Sequence, residues 1–271
     1  MKISLSISPD NPRGAPIIFK NGLAHGITQA AALGYDAVEL HIHDLWTIDA
    51  DALRAQLHAH HLPVSSIGPG LVYGGDTFSF ADADARVRQQ ALERIHLHID
   101  LCQKFGTMAM VGVVHGNVSH DAETRRIQMA RIAEHMREID AYAGAHGVTL
   151  ALEAINRYET NCFNRAAELV ALIQENNLRS SGILLDNFHM NIEEVSMHDA
   201  IRTAGKHLAL VHFSDSNRWY PGAGHLDLPA IVRTLREIGY AGYLALEALP
   251  LPDPDTAARK GLENTRRWLA T

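Results

Sequence analysis

Four ionisable residues stand inside or at the end of apolar runs in the second half of the chain. They are Glu153 in LALEAI, Asp186 at the end of ILLD, His212 in LVHFSD and Glu247 in LALEAL. An ionised carboxylate in apolar surroundings is costly unless it is paired or bound to a cation. Three carboxylates and one imidazole that converge predict a divalent metal site, and oxygen-rich ligation with one nitrogen favours Mn²⁺ or Mg²⁺.

Such a centre predicts a definite kind of chemistry. A metal with open positions can polarise a substrate carbonyl and stabilise the enediolate that forms when the neighbouring C–H loses its proton. Glu153 and Glu247 could then stand on opposite faces of a flat enediolate, where one removes the proton and the other returns it. That reaction is an epimerisation. Proton transfer between adjacent carbons on one face would instead interconvert an aldose and a ketose.

The four residues need strands to position them, and eight short apolar runs recur along the chain. Each run is too continuous for the alternating pattern of a half-solvated antiparallel sheet, and this continuity is typical of strands in a parallel sheet. The runs cover residues 2–7, 37–42, 64–68, 108–114, 149–155, 182–188, 208–214 and 243–249.

The segments between the runs carry the period of amphipathic helices. One such segment has Leu92, Ile95, Ile99 and Cys102 on a single face, and glycines precede the next strand. Eight βα units predict an α/β protein with one (β/α)8 barrel domain over residues 1–271, with the active site at the carboxyl ends of the strands. An open, doubly wound sheet is the alternative, but no GxGxxG motif follows the first strand.

Composition narrows the possible partners. The 271 residues are 46% hydrophobic, the formal net charge is −7, and no run of four basic residues occurs, so we expect no nucleic acid partner. No apolar run approaches the length of a membrane helix, and we expect no membrane association. Two cysteines without metal or disulfide spacing, and a first strand that directly follows Met1, predict a cytoplasmic protein.

Loop residues near the proposed ligands are further candidates. His189 and Arg218 each lie within a few residues of a proposed ligand, whereas Asp227 precedes a helical run and is interpreted as its N-cap. For Asp186 the alternative to metal binding is also a capping role. Histidines in polar helical positions, including His98, are predicted to be surface residues.

The motifs LALEAINRYETNCFN, ILLDNFHMNIEE, VHFSDSNRWYPGAGHLD and the terminal LALE resemble the sugar isomerase/epimerase family of xylose isomerase-like TIM barrels, and most closely its ketose 3-epimerase branch. The resemblance implies metal ligation by the four residues above, with the two glutamates as acid and base. It implies that Glu159, His189 and Arg218 hold the substrate. It also implies one divalent ion, Mn²⁺ before Mg²⁺ or Co²⁺, no organic cofactor, and a homodimer or homotetramer.

The substrate expected from the resemblance is a free keto sugar, because few basic residues other than Arg157 and Arg218 are available for a phosphate. The alternatives are an aldose–ketose or hydroxypyruvate-type isomerase, a sugar-phosphate 3-epimerase, an inosose-type dehydratase and a non-catalytic metal-binding barrel. A multi-zinc DNA endonuclease is disfavoured by the negative net charge.

Overall fold

The computed structural model describes residues 1–10, 14–20, 22–69 and 78–271. Within them, eight parallel strands form a closed barrel in sequence order, with β8 paired to β1. The strands are β1 (Lys2–Ile7), β2 (Ala37–His41), β3 (Val64–Gly68), β4 (Met108–Val111), β5 (Leu150–Glu153), β6 (Ser181–Asp186), β7 (Leu208–His212) and β8 (Tyr243–Leu246). The predicted (β/α)8 barrel is confirmed.

Helices follow the strands and pack around the barrel. In the described ranges they are α1 (Leu23–Leu33), α2 (Ala50–Ala59), α3 (Ala85–Phe105), α4 (Ala122–Ala145), α5 (Ala166–Glu175), α6 (Asn187–Glu193), α7 (Met197–Ala204), α8 (Leu228–Glu237) and α9 (Pro254–Ala270). Several begin at an acidic N-cap, and Asp227 caps α8 through the amide of Ala230, as predicted. None of these helices is long and apolar enough to cross a membrane.

Two cores result from the alternation of side chains along each strand. Outward residues such as Leu5, Leu40 and Leu152 pack against the helices in one large apolar core. Inward residues of β4 to β8 form a small second core inside the barrel, which contains Met110, Ala151, Leu184, Leu210 and Ala245. The inward residues one step closer to the carboxyl ends of β5 to β8 are polar, and there the proposed site begins.

The structure differs from the sequence expectations in the ends of the strands and in the burial of His98, and it leaves part of two loops undescribed. Several strands end earlier than the apolar runs, because the last residues of those runs leave the sheet and enter the loops at the carboxyl end. The prediction that His98 is a surface residue is wrong: the side chain is fully buried and its Nε2 lies 2.8 Å from the carbonyl oxygen of Ile67. The family resemblance implies that the N-terminal half shapes the pocket for the far end of the sugar, and its loop segments SPDNPRGAPIIF (8–19) and GPGLVYGG (68–75) fall partly outside the described residues.

Candidate active site

The four proposed ligands occupy equivalent places on four consecutive strands. Glu153, Asp186 and His212 are the last residues of β5, β6 and β7, and Glu247 directly follows β8. The register pairs Asp186 with His212, so the two side chains project inward at the same level of the barrel. The position of each residue therefore follows from strand alternation and from the length of each strand.

Three of the four residues form a compact cluster. One potential ligand atom from each of Glu153, Asp186 and His212 lies within 4.8 Å of the others. Glu247 adjoins this cluster, because its Oε2 lies 3.1 Å from His212 Nδ1. The same Nδ1 atom lies 3.5 Å from Glu153 Oε1 and 3.6 Å from Asp186 Oδ2. One imidazole nitrogen thus faces three carboxylates.

Arg218 lies among these carboxylates. Its guanidinium group forms ion pairs with Asp186 and Glu247, and it stacks over the ring of Phe188 with the guanidinium carbon 4.9 Å from the ring centroid. Arg218 has a left-handed backbone conformation with φ of 64°, and its amide donates to the carbonyl oxygen of Asp215 at 2.9 Å within the loop after β7. The prediction that Arg218 lies at the site is consistent with this placement, and its contact with two proposed ligands was not expected.

The electrostatics of the cluster favour positive charge at its centre. Burial alone would lower the pKa of His212, but the carboxylates of Glu247 and Glu39 outweigh burial and hold this pKa well above 6.5. Burial would raise the pKa values of Asp186 and Glu247, yet the charges of Arg218 and His212 hold both below the usual range. The cluster is therefore poised to stabilise a cation.

The donor set fits a divalent metal ion. Within the described residues, neither ring nitrogen of the buried His212 has a partner in hydrogen-bond geometry, although carboxylates surround the ring. A buried imidazole nitrogen without such a partner, beside carboxylate oxygens, is a suitable ligand for a hard or borderline divalent ion. The structure thus contains a candidate metal site of glutamate, aspartate and histidine.

The two carboxylate oxygens of Asp186 make different contacts, one with the start of α6 and one with the cluster. Its Oδ1 accepts a hydrogen bond of 2.8 Å from the amide of Phe188 and so caps α6, while its Oδ2 faces Arg218 and His212. The two interpretations that the sequence presented as alternatives are therefore compatible, because each uses a different oxygen of one carboxylate.

His189 and Glu159 are linked by a side chain to which the sequence gave no role. The Nδ2 group of Asn156 donates to Glu159 Oε1 at 3.0 Å and to His189 Nδ1 at 2.7 Å, while Asn156 Oδ1 accepts from the amide of Tyr158. Because an amide NH₂ can only donate, His189 Nδ1 must accept and the ring proton resides on Nε2. That Nε2 lies 3.6 Å from Glu153 Oε1 and points toward the cluster.

A cavity of about 700 Å³ opens over the cluster, and its walls contain six of the seven residues proposed for the site. They are Glu153, Glu159, His189, His212, Arg218 and Glu247. Gly112 keeps the cavity open beside Glu153, since a Cβ there would lie 3.3 Å from Glu153 Oε2. The seventh residue, Asp186, is fully buried beneath them. The cavity is large enough for a monosaccharide.

Sequence reasoning missed Glu39 and His41 of β2. Glu39 is completely buried, and His41 lines the cavity with its Nε2 3.0 Å from Glu39 Oε1 and 3.7 Å from Glu247 Oε1. The signal was present, because Glu39 interrupts AVELHI as Glu153 interrupts LALEAI. His41, two positions later, shares the inward face of the same strand.

Comparisons with known proteins show the family to which the chain belongs. The model of the family described as Xylose isomerase-like TIM barrel matches residues 27–269, and the chain belongs to that family. The L-ribulose 3-epimerase of Methylomonas sp. is 30% identical over 228 residues, which cover 84% of this chain and 78% of that protein. The L-ribulose 3-epimerase of Mesorhizobium japonicum is 34% identical over 218 residues, or 79% of this chain and 71% of that protein.

A solved structure has the same fold. The crystal structure of D-allulose 3-epimerase from Methylomonas sp. superposes with a TM-score of 0.83 at 26% identity, and the match covers 99% of this chain and 98% of that one. The relatives are named epimerases, so the comparisons place this chain among enzymes of the isomerase class.

Proposed function

We propose that the protein is a metal-dependent ketose 3-epimerase that acts on a free keto sugar. Glu153, Asp186, His212 and Glu247 would hold the ion, for which we propose Mn²⁺, with Mg²⁺ or Co²⁺ as possible substitutes. When bound, the ion would polarise the substrate carbonyl and stabilise the negative charge of the enediolate. The names of the relatives support the reaction, and the convergence of the four side chains supports the metal.

One observation carries the two-base mechanism. Glu153 and Glu247 line the same cavity from β5 and from the end of β8, and both reach His212 Nδ1, at 3.5 Å and 3.1 Å. A sugar bound over His212 would thus have one carboxylate toward each face. The ionised glutamate removes the C3 proton, and the protonated glutamate delivers a proton to the other face, so that the two exchange protonation states in each turnover.

Three further side chains would orient the sugar. His189 presents its Nε2–H to the cavity because Asn156 occupies Nδ1, and Glu159 is fixed by the same amide. Arg218 reaches the cavity over Phe188 and can donate to substrate oxygens. We propose substrate binding as the role of Glu159, His189 and Arg218.

The surroundings of the arginines favour an uncharged substrate. Arg157 is held by Glu193, with Nε to Oε1 at 2.8 Å and Nη2 to Oε2 at 3.0 Å, and Arg218 is shared by two carboxylates. A sugar phosphate is the second candidate because Arg94 lines the cavity and its buried Nε has no hydrogen-bond partner in the described part of the chain. If Arg94 binds phosphate, Arg94→Gln will lower kcat/KM for L-ribulose 5-phosphate but not for L-ribulose.

The deciding experiment is proton NMR of D-fructose, D-tagatose, L-ribulose and their phosphates, incubated with Mn²⁺-loaded protein in D₂O. We expect deuterium at C3 as the C3 epimer accumulates, because the returned proton comes from a carboxyl group that exchanges with solvent. Deuterium at C1 or C2 together with an aldose would show an isomerase. Absence of exchange in every sugar would contradict the proposal and favour a dehydratase or a non-catalytic barrel. The cytoplasmic location and the homodimer or homotetramer stay predictions.

A further inference from the structure

Beneath the three carboxylates of the proposed metal centre lies a fourth, Glu39, and both of its oxygens accept hydrogen bonds. The register of the first three strands places Ser6, Glu39 and Ser66 in one row across the barrel. Ser6 Oγ donates to Glu39 Oε1 and Ser66 Oγ donates to Glu39 Oε2, each at 2.7 Å. Two short bonds from neutral hydroxyls offset part of the cost of burying this charge.

Each oxygen of Glu39 also faces one imidazole of the site. Oε1 lies 3.0 Å from His41 Nε2, and Oε2 lies 3.3 Å from His212 Nε2. An ionised carboxylate can only accept hydrogen bonds, and Glu39 accepts one from His41 Nε2. Its charge beside His212 Nε2, which is close to that oxygen but outside hydrogen-bond geometry, favours the Nε2–H tautomer when a bound metal ion keeps the ring neutral. The lone pair of His212 then resides on Nδ1, the atom that faces Glu153, Asp186 and Glu247.

We propose that Glu39 is a positioning residue that fixes the tautomer and the ring orientation of His212, so that Nδ1 is presented to the metal ion. The inference rests on the metal centre proposed above. Glu39 itself is not a catalytic residue, since it has no exposed surface and lies behind His41 and His212, which line the cavity. Histidines that bind metals commonly donate their other ring N–H to such a carboxylate, and loss of that partner weakens metal binding.

His41 connects Glu39 to Glu247, one of the two proposed acid/base residues. Its Nε2 lies between Glu39 Oε1 and Glu247 Oε1, at 3.0 Å and 3.7 Å. Its Nδ1 faces Gly68, where a Cβ would lie only 3.2 Å away. Glu39 therefore supports two rings that border two sides of the site.

The test is a titration of metal-stripped protein with MnCl₂ by calorimetry. Glu39→Gln keeps the shape of the side chain but removes its charge, and we expect the Kd for Mn²⁺ to rise about 10- to 100-fold. Glu193→Gln is the matched control, because Glu193 is also buried and ionised but pairs with Arg157 outside the cluster, and its Kd should match the wild type. Ser66→Ala removes one donor to Glu39 and should give a smaller increase.

A second measurement uses the wild-type protein, so its result does not depend on whether a variant folds. In ¹⁵N-histidine NMR spectra of the Mg²⁺-loaded wild type, His212 should carry its proton on Nε2 and none on Nδ1. An unchanged Kd in a folded Glu39→Gln variant, or a proton on His212 Nδ1, would overturn the role of Glu39 while the metal centre stands. A wild type that binds neither Mn²⁺ nor Mg²⁺ at millimolar concentrations would instead overturn the metal centre, and with it this inference.

Discussion

Glu39 and Glu153 occupy similar places in the barrel but differ in what surrounds their oxygens. Glu39 is fully buried, and each of its oxygens accepts a 2.7 Å hydrogen bond from a serine. Glu153 keeps 15% of its side chain exposed, and its Oε1 lies 3.5 and 3.6 Å from the imidazoles of His212 and His189, too far for strong hydrogen bonds. A carboxylate whose lone pairs are used within the protein can position its neighbours. One whose lone pairs are available can bind a ligand or accept a proton.

The largest expected effect is a loss of kcat, and it should distinguish the proposed acid/base glutamates from Glu39. Glu153→Gln and Glu247→Gln should each reduce kcat by on the order of 10³ or more, because each removes an acid or base that also binds the metal. Glu39→Gln should lower activity mainly through metal affinity, so that excess Mn²⁺ restores most of its kcat. Steady-state kinetics of all three variants with L-ribulose at several Mn²⁺ concentrations will check this.

Two results would contradict the comparison. Near-normal turnover of Glu153→Gln or Glu247→Gln would remove that residue from the mechanism. A Glu39→Gln variant that stays inactive at saturating Mn²⁺ would show that the charge of Glu39 acts in the reaction itself. Glu263→Gln on the exposed face of α9 serves as the control for loss of a glutamate charge.

The next prediction concerns His98, a buried histidine with no carboxylate partner among the residues that the structure describes. Burial lowers the pKa of His98 from 6.5 to about 4, whereas the carboxylates around His212 raise the pKa of that ring. Below pH 6.5 the unfolded chain binds a proton at His98 that the folded protein does not bind, so acid favours unfolding. The loss of stability should begin below about pH 6.5, level off below about pH 4, and reach about 3 kcal/mol.

Urea unfolding in EDTA between pH 7.5 and pH 4 will measure this loss. The comparison variant is His98→Gln, whose amide can still donate to the carbonyl of Ile67 but does not titrate. Its stability should fall less steeply with acid than that of the wild type. Parallel curves for the two proteins would show that His98 does not couple folding to pH.

His98 also shows where sequence reasoning failed and why. The strands and the acidic residues at their ends were predictable, because apolar continuity and its interruption are local patterns in the sequence. The burial of His98 depends on an acceptor on β3, the carbonyl of Ile67, 31 residues away along the chain. A polar residue in a helical pattern gives no sign of such a partner.

The role of Glu39 was hidden for the same reason. Its partners Ser6 and Ser66 lie 33 and 27 residues away, and a single serine in a strand is not a recognisable signal. Only the strand register shows that the three residues form one row. Likewise, the loop after β7 brings Arg218 onto Asp186, 32 residues distant. Local patterns predicted the ionisable residues at the ends of β5 to β8, whereas long-range pairing determines which polar groups around them already have hydrogen-bond partners.

The smallest expected effect is a difference in stability between two Asp186 variants, which distinguishes helix capping from metal binding. Asp186→Asn keeps an oxygen that can accept from the amide of Phe188 and cap α6, but removes the charge that faces His212 and Arg218. Asp186→Ala removes both. Both variants should bind Mn²⁺ much more weakly than the wild type, and the alanine variant should be less stable than the asparagine variant by about 1 kcal/mol, the usual value of an N-cap.

Urea unfolding in EDTA isolates the capping term, because both substitutions take the same negative charge from Arg218 and that loss cancels between them. Equal stabilities would show that Asp186 Oδ1 contributes no measurable capping energy, and that the residue is held in place by its charge alone. Wild-type Mn²⁺ affinity in the asparagine variant would remove Asp186 from the metal centre. A difference in stability combined with weak Mn²⁺ binding in both variants would establish that one carboxylate ends β6, begins α6 and binds the ion with separate oxygens.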